Sequence, residues 1–258
     1  MTSTKALQYL LAASLASLFI TPCQPSAQAQ SRNHSATDYY NRGNERQKQG
    51  DLNGAIEDYT FALTFDSQFA QAYNNRGVAH YLKRELEQTM ADSTKAIELK
   101  PDYAEAWNTR GNARQDSGDL EGAIADYDQA VKLKPDYALA WHSRGSAYHQ
   151  KKDLPNAVND YSRALELNPQ YAAAFHNRGS AYQEQGVLNK AERDYSQAIK
   201  LNPRRALSWA LRGLVRLRTE HNDEAEKDFA ECLKLDPSLK ASLETSIQAL
   251  KNPRVAGH

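Results

Sequence analysis

Three histidines have the most evident potential for chemistry in this sequence, because imidazole is a common zinc ligand. His142 and His149 lie on one predicted helix, two turns apart, and His176 follows later in the chain. Two helical turns span roughly 10 Å, which is too far for two imidazoles to bind one zinc ion at about 2 Å each. The sequence also has no glycine-rich phosphate loop and no GxSxG, HExxH or CxxC motif. We therefore predict a protein without a catalytic site, a cofactor or a bound metal.

A recurring arginine and a recurring aspartate form the strongest charge pattern. Each aspartate follows its arginine at one constant interval, and the pairs themselves recur at a second, longer constant interval. The arginines are Arg42, Arg76, Arg110, Arg144, Arg178 and Arg212, and the aspartates are Asp58, Asp92, Asp126, Asp160, Asp194 and Asp228. The pattern fits a row of arginines that binds an acidic ligand, or six ion pairs that lock pairs of helices or join successive pairs. Because every arginine comes with its own aspartate, we favour the structural interpretation.

The interval between successive pairs defines a repeat that covers most of the chain. A glycine marks each copy, and the copies follow one another without insertion, at 36–69, 70–103, 104–137, 138–171, 172–205 and 206–239. In the third copy, apolar residues with helical spacing lie on both sides of Ser117-Gly118-Asp119, a breaker followed by an N-cap residue. Pro135 then ends the second helix. Each copy is therefore predicted to be two helices, A and B, joined by a tight turn.

Residue sizes at matching positions indicate how these helices pack. With each copy numbered from 1 to 34, position 8 is always glycine, position 20 is alanine except at Thr89, and position 27 is alanine except at Cys232. Aromatic residues occupy position 4 in every copy and position 24 in every copy but the second, which has Ser93. Small residues let two helix backbones approach and the rings fill the remaining space, so stacked copies complete one elongated core. Cys232 is interpreted as a buried packing residue.

These positions resemble the tetratricopeptide repeat (TPR) family, whose repeats carry an aromatic residue at position 4, Gly at 8, Ala at 20, an aromatic residue at 24, Ala at 27 and Pro at 32. The resemblance covers about four fifths of the chain. It implies an all-α, right-handed alpha-alpha superhelix (a TPR solenoid) whose A helices line a concave groove that binds protein or peptide. Ser67 in the first copy, and Arg84, Thr89 and Ser93 in the second, depart from the pattern, so the second hairpin is expected to be the loosest.

The A-helix positions that the family places on the concave face carry mostly amides, hydroxyls and imidazoles, which can hydrogen-bond to the backbone of a bound peptide. The histidines are expected to be exposed there. The predicted groove residues of the first five copies are Asn41, Asn44, Asn74, Asn75, Asn108, Asn112, His142, His149, His176 and Asn177. Asparagine recurs at position 6, but Thr109, Ser143 and Leu211 interrupt that series.

The sixth copy differs, because its groove positions form an apolar stripe of Leu207, Leu211, Leu214 and Leu217. This stripe fits a partner with a hydrophobic anchor, or it is covered by the C-terminal segment or by a second copy of the chain. Residues 240–251 carry Leu243, Ile247 and Leu250 with helical spacing, and they are predicted to be a capping helix at the end of the solenoid. A flexible tail is predicted at 252–258.

The N-terminus is typical of a secretory signal peptide. Lys5 precedes an uncharged run at 6–20, and Ala27-Gln28-Ala29 matches a cleavage site, so residues 1–29 are predicted to be removed and 30–35 to form a polar lead. The alternative is an uncleaved membrane anchor, although the apolar run is shorter than the roughly 20 residues of a membrane span. Cleavage would leave the protein periplasmic or secreted.

The overall composition excludes some classes of partner. The formal net charge is zero, which gives no indication of a nucleic-acid partner. The function that these features favour is a non-catalytic, exported scaffold that binds protein or peptide in its concave groove. The alternative is a structural or self-assembling envelope protein, a homo-oligomer formed through the apolar face of the sixth copy.

Overall fold

Shorter and slightly longer helices alternate along the computed structural model, which describes residues 35–251. The A helices are α1 (Ala36–Lys48), α3 (Ala70–Leu82), α5 (Ala104–Asp116), α7 (Ala138–Gln150), α9 (Ala172–Glu184) and α11 (Ala206–Arg218). The B helices are α2 (Leu52–Phe65), α4 (Leu86–Leu99), α6 (Leu120–Leu133), α8 (Leu154–Leu167), α10 (Leu188–Leu201) and α12 (Asn222–Leu235). A short 3-10 helix (Pro237–Leu239) and α13 (Lys240–Lys251) complete this part of the chain. The predicted signal peptide, most of the polar lead and the predicted tail lie outside the described residues.

Local sequence explains where the helices begin and end. Asp51, Asp119 and Asp153 cap α2, α6 and α8, since their side chains accept a hydrogen bond from a backbone N–H of the first turn. The residue at position 15, in the turn between helices A and B, has a left-handed backbone. It is Gly50, Gly118 and Gly186 at φ of 77° to 90°, and Arg84, Lys152 and Glu220 at φ of 63° to 65°.

Five of the six hairpins close where the ring at position 24 packs on the glycine at position 8. Tyr127 is fully buried, and a Cβ at Gly111 would lie only 2.6 Å from its Cε1. The second repeat has the fully buried Ser93 instead, whose hydroxyl donates to the carbonyl oxygen of Thr89. Ser93 therefore leaves more room beside Gly77 than a ring would.

Successive hairpins stack because helix B of one repeat packs on helix A of the next, as α6 does on α7. At this junction Ala130 and Val131 contact Ala140, and Trp107 and Trp141 pack against them. The stacking of small residues and rings produces one core along the series. The predicted all-α solenoid of six helix-turn-helix repeats is confirmed.

The last repeat is closed by α13. Leu243 is buried, and Ile247 packs with it against the cluster that contains Ala210 and Cys232. Cys232 is fully buried, as its small-residue position predicts. None of the helices within residues 35–251 combines the length and apolar character needed to cross a membrane.

Candidate functional site

Every arginine at position 7 forms a bidentate ion pair with the aspartate at position 23 of its own repeat. Arg144 donates through Nε and Nη2 to the two carboxylate oxygens of Asp160, at 2.7 Å each. The other five pairs have the same geometry. All six aspartates are buried. A planar guanidinium matches a carboxylate in this arrangement, so the pairs tie helix A to helix B.

From the second repeat onwards, the same arginines also contact the preceding repeat. The Nη1 of Arg110 donates to Thr94 at 3.2 Å, and the Nη1 of Arg144 donates to Asp128 at 2.7 Å. Each guanidinium also lies over the ring at position 4, with 4.8 Å from Arg110 Cζ to the centroid of Trp107. The arginines of the second to sixth repeats therefore have donors engaged both inside one hairpin and between hairpins, whereas Arg42 is engaged within its own hairpin. The contacts favour a structural role over the binding of an acidic ligand.

Much of the predicted asparagine series is likewise occupied by bonds between neighbouring repeats. Asn75 Nδ2 donates to Tyr40 Oη at 3.1 Å and to Asn44 Oδ1 at 2.8 Å. Thr109 Oγ1 donates to Asn74 Oδ1 at 3.1 Å. These contacts join position 5 or 9 of one repeat to position 6 of the next, so they fix the stacking of the A helices.

The same link recurs further along, between Asn177 Nδ2 and His142 Nε2 at 3.0 Å. Asn112 is occupied within its own repeat, where Tyr127 Oη donates to its Oδ1 at 2.8 Å. Of the predicted amides, Asn41 is exposed, while Asn44, Asn75, Asn112 and Asn177 are half-buried.

Three predicted groove residues are buried, and the expectation of an exposed imidazole was wrong for His176. Asn74, Asn108 and His176 are only 3–4% exposed. Position 5 faces the junction with the next repeat, where the following A helix covers it. Asn108 Oδ1 has no hydrogen-bond partner within residues 35–251.

The histidines are also less available than predicted. His176 Nδ1 lies 2.9 Å from Ser208 Oγ, and burial lowers the pKa of His176 to about 4. Burial likewise lowers the pKa of His142 to about 4. Both imidazoles are therefore neutral at pH 7, and His142 is half-buried. His149 Nε2 lies 2.9 Å from Glu184 Oε1, across the junction between the fourth and fifth repeats.

The predicted apolar stripe is not one exposed surface, because its leucines diverge to different surroundings. Leu207 is 44% exposed, whereas Leu211 packs against the cluster of Tyr195 and Val215. Leu214 packs into the cluster that α13 closes. Leu217 lines a cavity of about 370 Å³ that Ile247 of α13 also lines. The capping helix therefore contacts part of this face, through Leu214.

One depression in the surface lies between α7 and α9. A depression of about 240 Å³ is lined there by Ser146, His149, Gln150, Lys152, Tyr161 and Asn177. Lys152 and His149 both contact Glu184, with 2.8 Å from Lys152 Nζ to Glu184 Oε2. Lys152 and Glu184 are not among the predicted groove residues, because one lies in the turn and the other ends a helix. The described residues contain no group of three or more His, Cys, Asp or Glu side chains arranged to hold a metal.

Models of one repeat family match most of this helical region. A model described as "TPR repeat" matches residues 39–83, 111–152 and 145–186. Two models described as "Tetratricopeptide repeat" match residues 176–240 and 70–103. No curated protein gives a significant match to the sequence.

Several solved structures share the fold. The Cut9 and Hcn1 hetero-tetramer of the APC/C matches with a TM-score of 0.75 at 20% identity, over 84% of this chain and 43% of that chain. The pilF protein of Pseudomonas aeruginosa matches with a TM-score of 0.74 at 18% identity, over 85% and 97%. YrrB, described as "a TPR protein with an unusual peptide-binding site", matches with a TM-score of 0.59 at 20% identity, over 74% and 98%.

This chain therefore spans less than half of the first of these relatives, and identities this low show likeness of fold alone. The repeat itself is shown by sequence, since the three family models extend from residue 39 to residue 240, except for 104–110. The chain belongs to the tetratricopeptide repeat family.

Proposed function

We propose that this protein is a non-catalytic scaffold that binds a protein or peptide in its groove, and that it works after export. The observation that carries the binding proposal is the depression between α7 and α9, whose lining of amide, hydroxyl and imidazole groups can donate to and accept from a peptide backbone. Membership of the TPR family and the peptide-binding site named for YrrB support the same kind of ligand.

Binding is tested by panning a display library of random dodecapeptides against the purified chain and measuring the affinity of the selected peptides. Ser146→Tyr places a ring in the depression and should weaken binding by at least about tenfold. Glu166→Tyr is the matched control, because Glu166 is a residue of α8 outside the depression. Failure to select any peptide, or equal weakening by both variants, would refute binding in this depression.

Export is proposed from the apolar run at 6–20 and the Ala27-Gln28-Ala29 motif. The protein recovered from the periplasm or the medium of a bacterial host should have the mass of a chain that begins at Gln30. A full-length chain found only in the cytosol would refute export. A full-length chain found in the membrane would favour the uncleaved anchor.

A further inference from the structure

Phe61 and Phe65 expose their rings on the outer side of α2. Phe61 is 50% exposed and Phe65 is 60% exposed. Tyr39 of α1 stacks against both rings, at centroid distances of 5.3 Å and 5.4 Å. Position 26, which Phe61 occupies, is polar in the other repeats, where it is Lys95, Gln129, Arg163, Gln197 and Glu231. Exposed clusters of large apolar side chains commonly mark interaction surfaces, and we name Tyr39, Phe61 and Phe65 the ring patch.

Acidic side chains border the ring patch. Glu57 lies one helical turn before Phe61 on α2, and Asp66 directly follows Phe65. Both carboxylates are exposed, and neither has an ion-pair partner within residues 35–251. Ammonium and guanidinium groups bind carboxylates and also bind the faces of aromatic rings. The ring patch and its acidic border therefore fit a partner that presents several cations.

The outer side of α10 has the opposite character. Its exposed charged residues are all basic, and a further exposed arginine follows the helix. These four residues, which we name the cationic ridge, are Lys190, Arg193, Lys200 and Arg204. The acidic residues of α10 are engaged elsewhere: Arg216 Nε lies 2.7 Å from Glu192 Oε1. Arg178 Nε lies 2.8 Å from Asp194 Oδ2. No cation of the ridge has an ion-pair partner in the described part of the chain, so its charge is uncompensated there.

Three of the other four B helices neutralise the charge on their outer sides. In α4, α8 and α12, the residues at positions 26 and 29 form an ion pair. The pairs are Lys95 with Glu98, Arg163 with Glu166 and Lys234 with Glu231. In α2 the same positions hold Phe61 and Thr64, and in α10 they hold Gln197 and Lys200. The ring patch and the cationic ridge are therefore features of single repeats, which the common repeat pattern does not explain.

We propose that the ring patch of one copy of this chain binds the cationic ridge of a second copy. Glu57 to Asp66 extend about 14 Å along α2, and Lys190 to Lys200 extend about 15 Å along α10, so the two surfaces match in length as well as in charge. A second ring patch is a poorer occupant, because it would bring the carboxylates of both copies together. The two surfaces lie on different repeats, so each contact leaves one ring patch and one ridge free. Association of this kind is open-ended and arranges the solenoids in series.

The test is sedimentation velocity of the purified chain at increasing protein concentration, in low and in high salt. The average mass should rise with concentration, and high salt should reduce it. Phe61→Gln with Phe65→Leu gives α2 the residue types of the third and fifth repeats, so it should abolish association while circular dichroism stays unchanged. Arg193→Glu with Lys200→Glu should abolish association as well. A mixture of these two double variants should form pairs and nothing larger, because one variant keeps the ridge and the other keeps the ring patch.

Lys132→Glu is the matched control, because Lys132 is an exposed lysine of α6 at the same position as Lys200. This variant should associate like the unmutated chain, and an equal loss would show dependence on net charge alone and overturn the proposal. A chain that stays monomeric at every concentration would overturn it too, and would leave the ring patch to a different partner. Association that survives both double variants would lie on another surface, and a mixture that does not pair would show that the two surfaces do not meet. Either result would overturn the proposal, whereas peptide binding in the depression between α7 and α9 is tested separately.

Discussion

Replacing Gly111 by alanine tests whether close packing of a ring is what requires glycine at position 8. The added Cβ would lie 2.6 Å from Cε1 and 2.9 Å from Cδ1 of Tyr127. The ring cannot move aside freely, because it is fully buried and its hydroxyl lies 2.8 Å from two acceptors, Asn112 Oδ1 and Gln115 Oε1, and donates to one of them. Relief of the clash therefore requires the helices to separate or this hydrogen bond to break.

The expected magnitude combines three contributions. Overpacking a well-filled core costs about 1–3 kcal/mol. Loss of a neutral hydrogen bond from the Tyr127 hydroxyl adds about 1 kcal/mol. Alanine in place of glycine within a helix returns about 1 kcal/mol. Gly111→Ala should therefore lower the free energy of unfolding by about 2 kcal/mol.

Gly77→Ala is the matched comparison, because Ser93 stands where the other repeats have a ring. The nearest atom to the added Cβ would be Asp92 Cβ at 3.3 Å, a contact that shifts of a few tenths of an ångström relieve. The helix propensity of alanine should then dominate, and Gly77→Ala should be neutral or more stable than the unmutated chain by about 0.5 kcal/mol. In a Tyr127→Ser background, Gly111→Ala should lose its destabilising effect.

The assay is urea unfolding followed by circular dichroism and by tryptophan fluorescence, because a solenoid can unfold repeat by repeat and the two probes reveal this. Near-ultraviolet circular dichroism of the folded variants checks that the rings keep their packing. Destabilisation of Gly77→Ala and Gly111→Ala by the same amount would refute the argument. So would an undiminished effect of Gly111→Ala in the Tyr127→Ser background.

The remaining predictions concern charge, backbone conformation and pH. Arg144→Met leaves the carboxylate of Asp160 buried without its partner, so it should lower the free energy of unfolding by about 3 kcal/mol. Asp160→Asn added to Arg144→Met should recover part of that loss, as measured by urea denaturation. Gly118→Ala should cost about 1 kcal/mol although nothing lies within 4 Å of the added Cβ, because φ is 90°; an unchanged urea midpoint would contradict this. Burial lowers the pKa of His142 and His176 to about 4, whereas an unfolded chain has about 6.5, so the unfolded state takes up protons first as the pH falls. From pH 7 to pH 5 the unfolding free energy should drop by roughly 2 kcal/mol per histidine, and changing both to Gln should remove that part of the slope.

The repeat and the helices could be predicted from the sequence because both depend on contacts that recur in every copy. Gly111 requires a close approach of two helices, and the ring of Tyr127 fills the space that this approach leaves. Asp119 caps a helix through a bond to the nearby backbone of Gly122, which is a local event. Features of this kind are visible in a single copy, and repetition makes them unambiguous.

The candidate site could be predicted only in part, because accessibility depends on the neighbouring repeat. Asn74 and Asn75 are adjacent in sequence and of the same type, yet the first is buried beneath the next A helix and the second is half-buried. Leu214 faces α13; the helical spacing predicted this capping helix, but not which leucines it would contact.

Hydrogen bonds between stacked repeats occupy polar side chains that line the groove, and this limits how the groove can recognise a ligand. The bond from Asn177 to His142 occupies one donor and one acceptor that could otherwise bind a ligand. Each further neutral hydrogen bond to a ligand adds little net affinity, since the exchange with water is nearly balanced. Discrimination between ligands must then come from the few groups that stacking leaves unsatisfied.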